Sequence, residues 1–199
     1  DDPAQTYPLA IALDENDPNK LFFTCGDKRS NYICISDDKG ENIIQKTLPC
    51  SVHGNEVGRA TGDRLIYKNG RLYFGSQTAG IIYSEDMGES WQNIDLFGEK
   101  NISLIWTNSE GKLFIAGCSG EANSPDGVTR GHTLYCSTDG LKSFVPLTAP
   151  DPVKYENSSY YGFVPQRITS DSRYIYITFA SSGEVFYGGM GAYACDTGS

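Results

Sequence analysis

Thirteen residues in the first third of the chain, His53-Gly54-Asn55-Glu56-Val57-Gly58-Arg59-Ala60-Thr61-Gly62-Asp63-Arg64-Leu65, bring together three glycines, two arginines, a histidine and two acids. That polar density exceeds what a turn requires, and loops of this content are where binding groups collect. Asn55, Glu56 and Arg59 offer an amide, a carboxylate and a guanidinium, the donors and acceptors that a hydroxyl-rich ligand needs. Trp106, Tyr160 and Tyr161 offer flat aromatic faces on which C–H-rich rings can stack. These six residues form the candidate binding set. Glu56 and Asp63 are the only acids of the stretch, and beside Arg59 and Arg64 they read as structural partners of the arginines or of backbone amides. His53 and His132 have no nucleophile at a motif-like spacing, and no glycine-rich phosphate loop follows a strand and opens a helix. The acidic turn Asp14-Glu15-Asn16-Asp17 lacks the ligand spacing and final Glu of a calcium loop. The sequence therefore assigns no catalytic residue, no metal site and no cofactor.

The elements that must position this set are read from a repeat. Ser84-Glu85-Asp86-Met87-Gly88-Glu89-Ser90-Trp91 has the form Ser-x-Asp-x-Gly-x-x-aromatic and lies between two short apolar runs. An Asp in such a place can accept bonds from turn amides, and Gly supplies the positive φ of a tight hairpin corner. The form recurs at Ser36, Asp38 and Gly40, with Ile43 in the aromatic place. It recurs again at Ser137, Asp139, Gly140 and Phe144, with the glycine one place early. Asp38, Asp86 and Asp139 fall about 50 residues apart, and a degenerate fourth copy stands at Asp196-Thr197-Gly198. A period of that length built from short strands is propeller spacing. The expected fold is all-β: a β-propeller or propeller segment over 1–199 with four blades, at about 8–48, 63–96, 102–148 and 163–199, the last lacking its outer strand. Ser36, Asp38, Gly40, Ser84, Asp86, Gly88, Trp91, Ser137, Asp139, Gly140 and Phe144 are its structural corner residues.

Composition narrows the partners. With 16 basic against 25 acidic residues the formal net charge is −9, which argues against nucleic acid or an anionic membrane. No apolar run reaches the roughly 18 residues of a membrane span. The six cysteines follow the repeat and show no Cys-x-x-Cys, so they read as small buried residues. Bridges between neighbouring strands, Cys25 with Cys34 and Cys118 with Cys136, stay open as the alternative.

The corner motif matches the Asp-box of sialidases, sortilin-type receptors and family 74 glycoside hydrolases. The resemblance to family 74 is the most detailed. Gly54 to Leu65 resembles that family's Gly-Asn-Glu-x-Gly-Arg-x-x-Gly-Glu-Arg-Leu segment, with Asp63 where the family has Glu, and Leu9 to Lys20 looks like its strand-and-turn Ala-x-Asp-Pro-x-x-Pro-Asn. These features cover roughly residues 8 to 148. The resemblance implies the N-terminal propeller of a secreted, extracellular or cell-surface bacterial enzyme that hydrolyses xyloglucan or a related β-1,4-glucan with inversion. It implies a polysaccharide ligand and places the His53–Leu65 loop at the cleft. Inversion takes two carboxyls about 6.5–9.5 Å apart, which in the family are Asp residues, one from each of two propellers. The Thr-Asp-Ile-Gly-Gly-like segment that carries the first is absent here, so neither is carried over and this chain by itself is expected to be inactive. The alternative is a stand-alone propeller module that binds carbohydrate or protein. A set of blades with open faces further implies self-association or missing partner blades.

Overall fold

The computed structural model describes residues 8–25, 31–50, 52, 64–76, 78–96, 102–118, 134–147, 163–181 and 189–196. They form fifteen strands in four antiparallel sheets, each a simple meander in which chain neighbours pair. The first sheet runs β1 (Pro8–Leu13), β2 (Leu21–Cys25), β3 (Tyr32–Ser36) and β4 (Ile44–Thr47). The second runs β5 (Leu65–Lys68), β6 (Arg71–Ser76), β7 (Gly80–Ser84) and β8 (Gln92–Ile94). The third runs β9 (Ile102–Thr107), β10 (Phe114–Cys118), β11 (Leu134–Ser137) and β12 (Val145–Leu147). The fourth has three strands, β13 (Phe163–Ser170), β14 (Tyr174–Ser181) and β15 (Gly189–Asp196). No helix occurs among the described residues, and each corner motif joins the third strand of its sheet to the fourth.

In the fourth sheet β13 begins at Phe163, where the last blade is expected to open. Pro165 is accommodated there because the β13–β14 register shifts between Pro165 and Arg167. A bulge removes the need for the amide that proline lacks.

The described residues up to 102 form one compact unit and those from 103 form another. In the first unit, register decides what is buried. Ala12, Phe22 and Ile35 lie opposite one another across β1–β3, as do Ala10, Thr24 and Ile33, so they share one face. Leu65, Phe74 and Ile82 line one face of the second sheet in the same way, together with Tyr67 and Leu72. The two faces meet in one cluster that includes Leu48 and Val52, with Met87 and Trp91 against its side. Phe22, Ile33, Leu72 and Phe74 have no exposed surface, and each contributes about 1.5–3 kcal/mol by burial. The Phe22 and Tyr67 rings stack with centroids 4.5 Å apart. Glu15 pairs with Lys68, and Lys46 with Glu89, joining the sheets again at their margins.

In the second unit, Leu104, Ile115 and Leu134 pack against Ile168, Ile175 and Ile177. The sheets approach closely at Gly117, where an added Cβ would stand 2.4 Å from Pro165 Cγ. Contacts that short do not occur between real side chains, so glycine is required while these sheets keep their separation.

Candidate functional site

The corner motifs are hydrogen-bonded knots. Ser84 Oγ donates to Asp86 Oδ1 at 2.8 Å and accepts from the Gly88 amide at 2.7 Å. Asp86 Oδ1 also accepts from the Ser90 amide at 2.9 Å, and its Oδ2 accepts from the Ser90 hydroxyl. Asp38 repeats this with Ser36 at 2.8 Å and with the Asn42 amide at 2.8 Å and side chain at 2.6 Å. Asp139 does so with Ser137 at 3.0 Å and with the Ser143 amide at 3.0 Å and hydroxyl at 2.6 Å. Hydrogen bonds to the charged form lower a carboxyl pKa. The Ser90 hydroxyl and amide, then Ser84, hold Asp86 at about 2. Ser143 is the main cause of the same value at Asp139, and the Asn42 amide leads in lowering Asp38. These three carboxylates are occupied in shaping turns.

Two consecutive residues of each corner have positive φ: Lys39 and Gly40, Met87 and Gly88, Gly140 and Leu141. Positive φ at both central residues is the signature of the type I′ hairpin turn. The early glycine of the third motif is thus no irregularity of the fold. Gly140 takes the first of the two positions, which leaves Leu141 at φ 71° in the second.

Of the candidate binding set, Trp106 lies on β9, half-buried against the cluster of Leu104, Ile115 and Leu134. Its indole is braced by packing. Asn55, Glu56, Arg59, Tyr160 and Tyr161 lie outside the described residues, as do Asp63 and both histidines. Arg64, at the end of the polar stretch, is 2% exposed. Its guanidinium donates to the Gly75 carbonyl at 3.3 Å and the Val52 carbonyl at 2.9 Å, and it lies 5.5 Å from the Phe74 ring centroid. Its Nε has no partner among the described residues. Burial lowers its pKa to about 10, with the neighbouring Cys50 opposing that shift. Arg64 therefore pins the root of the polar stretch to the second sheet through backbone carbonyls.

Most carboxylates of the described residues are similarly engaged. Asp14 caps the Asn16 amide and faces Lys20, Glu85 pairs with Arg71, Glu110 with Lys112, and Asp196 with Arg173. Another cluster escaped sequence reasoning. Asp171 accepts from the Arg173 and Tyr174 amides at 2.8 and 2.7 Å and from the Tyr176 hydroxyl at 2.8 Å. The Arg173 guanidinium lies 5.0 Å from the Tyr174 ring centroid. The Tyr174 amide leads in lowering the Asp171 pKa, and the Asp171 hydrogen bond leads in raising that of Tyr176. The signal was Asp171-Ser172-Arg173-Tyr174 between two strands, an Asx-type turn.

Four meander sheets with three hydrogen-bonded Asp-box corners define the β-propeller class. Comparison with known proteins adds the relatives. No protein-family model matches the chain. Over 119 residues, 53% of this chain, it is 30% identical to the oligoxyloglucan-reducing end-specific xyloglucanase of Emericella nidulans. Over 162 residues, 75% of this chain, it is 26% identical to the probable oligoxyloglucan-reducing end-specific xyloglucanase of Neosartorya fischeri. The chain covers 15% and 18% of the length of those two proteins. The crystal structure of the Niastella koreensis GH74 enzyme superimposes with a TM-score of 0.71 at 24% identity, covering 96% of this chain and 29% of that one. The chain is thus similar in sequence to xyloglucanases, and its fold is that of the GH74 propellers.

Proposed function

We propose that this chain is the glucan-binding propeller portion of an extracellular glycoside hydrolase acting on xyloglucan or a related β-1,4-glucan. The observation that carries the reading is the sequence similarity to curated xyloglucanases over 53% to 75% of the chain, joined to an all-β scaffold with Asp-box corners. The ligand set is Asn55, Glu56 and Arg59 for hydroxyls, with Trp106, Tyr160 and Tyr161 as stacking faces. Glu56 and Arg59 belong in sequence to the stretch that ends at the buried Arg64. Hydrolysis needs an acid and a base on opposite sides of the bond, and the resemblance carries neither member of that pair over to this chain.

Calorimetric titration with xyloglucan oligosaccharides tests the reading. Binding without release of reducing sugar is expected, and Trp106→Ala is expected to weaken it by about 1–2 kcal/mol, the order of an aromatic contact beyond burial. Full affinity in a folded Trp106→Ala variant removes Trp106 from the site. Absence of binding by the unmutated chain moves the reading to a module that recognises protein.

A further inference from the structure

Cys136 and Cys195 occupy equivalent places in two sheets that pack on each other. Each is the penultimate residue of the third strand of its sheet, in β11 and β15. Register fixes the face: Cys136 lies opposite Ile115, and Cys195 lies opposite Ile175. Cross-strand partners share a face, and Ile115 and Ile175 belong to one cluster formed between these sheets. The two thiols are therefore directed into the same inter-sheet space, near its rim, where Cys136 is half-buried and Cys195 exposed. Both are free in the structure. Burial, and after it the neighbouring Cys195, push the Cys136 thiol up.

We propose that Cys136 and Cys195 form a reversible disulfide that staples the three-stranded sheet to its neighbour. Facing sheets packed about 10 Å apart are bridged in this way in immunoglobulin domains. The fourth sheet is the one that gains most, because β15 has no fourth strand beside it among the described residues. The oxidant is a small-molecule disulfide. The exposed Cys195 thiolate attacks it, forming a mixed disulfide and releasing one small thiol. Cys136 then loses its proton and attacks Cys195 Sγ, displacing the second small thiol. Two protein thiols give up two electrons and two protons, and the small disulfide becomes two thiols. Cys195 is the attacking partner because it is the exposed one, and Cys136, with its raised pKa, resolves.

The test is equilibration of the full chain with oxidised or reduced glutathione, followed by alkylation of remaining thiols, peptide mapping by mass spectrometry and thermal melting. A peptide pair linked through Cys136 and Cys195 is expected in the oxidised sample. The bond closes a loop of about 60 residues, and the melting midpoint should rise by about 5 °C over the reduced sample. That rise should vanish in Cys136→Ser and in Cys195→Ser. Glutathione retained on Cys195 with Cys136 still alkylated would overturn the proposal, as would a link from either residue to another cysteine. An equal rise in the two serine variants would do the same.

Discussion

At the scale of single residues, the corner motifs show which positions the fold cannot relax. The Ser–Asp pair accepts and donates in the same pattern three times, and the left-handed pair beneath it accepts glycine in either place. Each corner places one L residue in that region, Lys39, Met87 or Leu141, where a side chain is disfavoured by roughly 1–2 kcal/mol. Part of this is returned on replacement by glycine, whose unfolded chain loses more freedom on folding, by about 0.5–1 kcal/mol. Leu141→Gly is therefore expected to stabilise the protein by about 0.5 kcal/mol, read as a higher urea midpoint at unchanged slope. A lower midpoint would mean that the half-buried leucine side chain contributes more by packing than its backbone costs.

At the scale of elements, the sequence was legible wherever a local rule sufficed. Strand, corner and strand follow from apolar runs and from Ser, Asp and Gly at fixed offsets, and these place all four sheets. The offsets say nothing about which residues touch across sheets. Gly117 reads in the sequence as an ordinary small residue within Phe114–Cys118, and only the opposing Pro165 of β13 explains it. Arg64 reads as one more charge in a polar stretch, yet it is buried on two carbonyls, because its partners come from Val52 and from the far end of β6. Gly117→Ala isolates the sheet-to-sheet contact, since it leaves every hydrogen bond of β10 available. Overpacking should destabilise by about 1–3 kcal/mol, measured by chemical denaturation, whereas Gly70→Ala, with no atom within 4 Å of its added Cβ, changes only turn strain. A Gly117→Ala protein as stable as the parent would show that the two sheets can separate freely at this point.

At the scale of the whole molecule, the question is which sheet faces are built to be covered, and the first compact unit contains its own control. Ile11 and Leu65 hold the same place in successive sheets: Ile11 is aligned with Phe23 and Cys34, and Leu65 with Phe74 and Ile82. Leu65 is 4% exposed because the first sheet lies over it, while Ile11 is 66% exposed and Leu13 60%. Chemistry is matched and only the covering differs. Leu65→Ala is expected to cost about 2–5 kcal/mol as a core truncation, whereas Ile11→Thr, which keeps the β-branch that suits a strand, should stay within about 0.5 kcal/mol. Denaturation of the two variants at several protein concentrations decides the matter. If Ile11→Thr is as damaging as Leu65→Ala, its face is covered in solution: by a second copy if the loss grows with concentration, and by the chain's own residues if it does not. A small, concentration-independent effect leaves that face open, an apolar surface equivalent in register to the one the second sheet already buries.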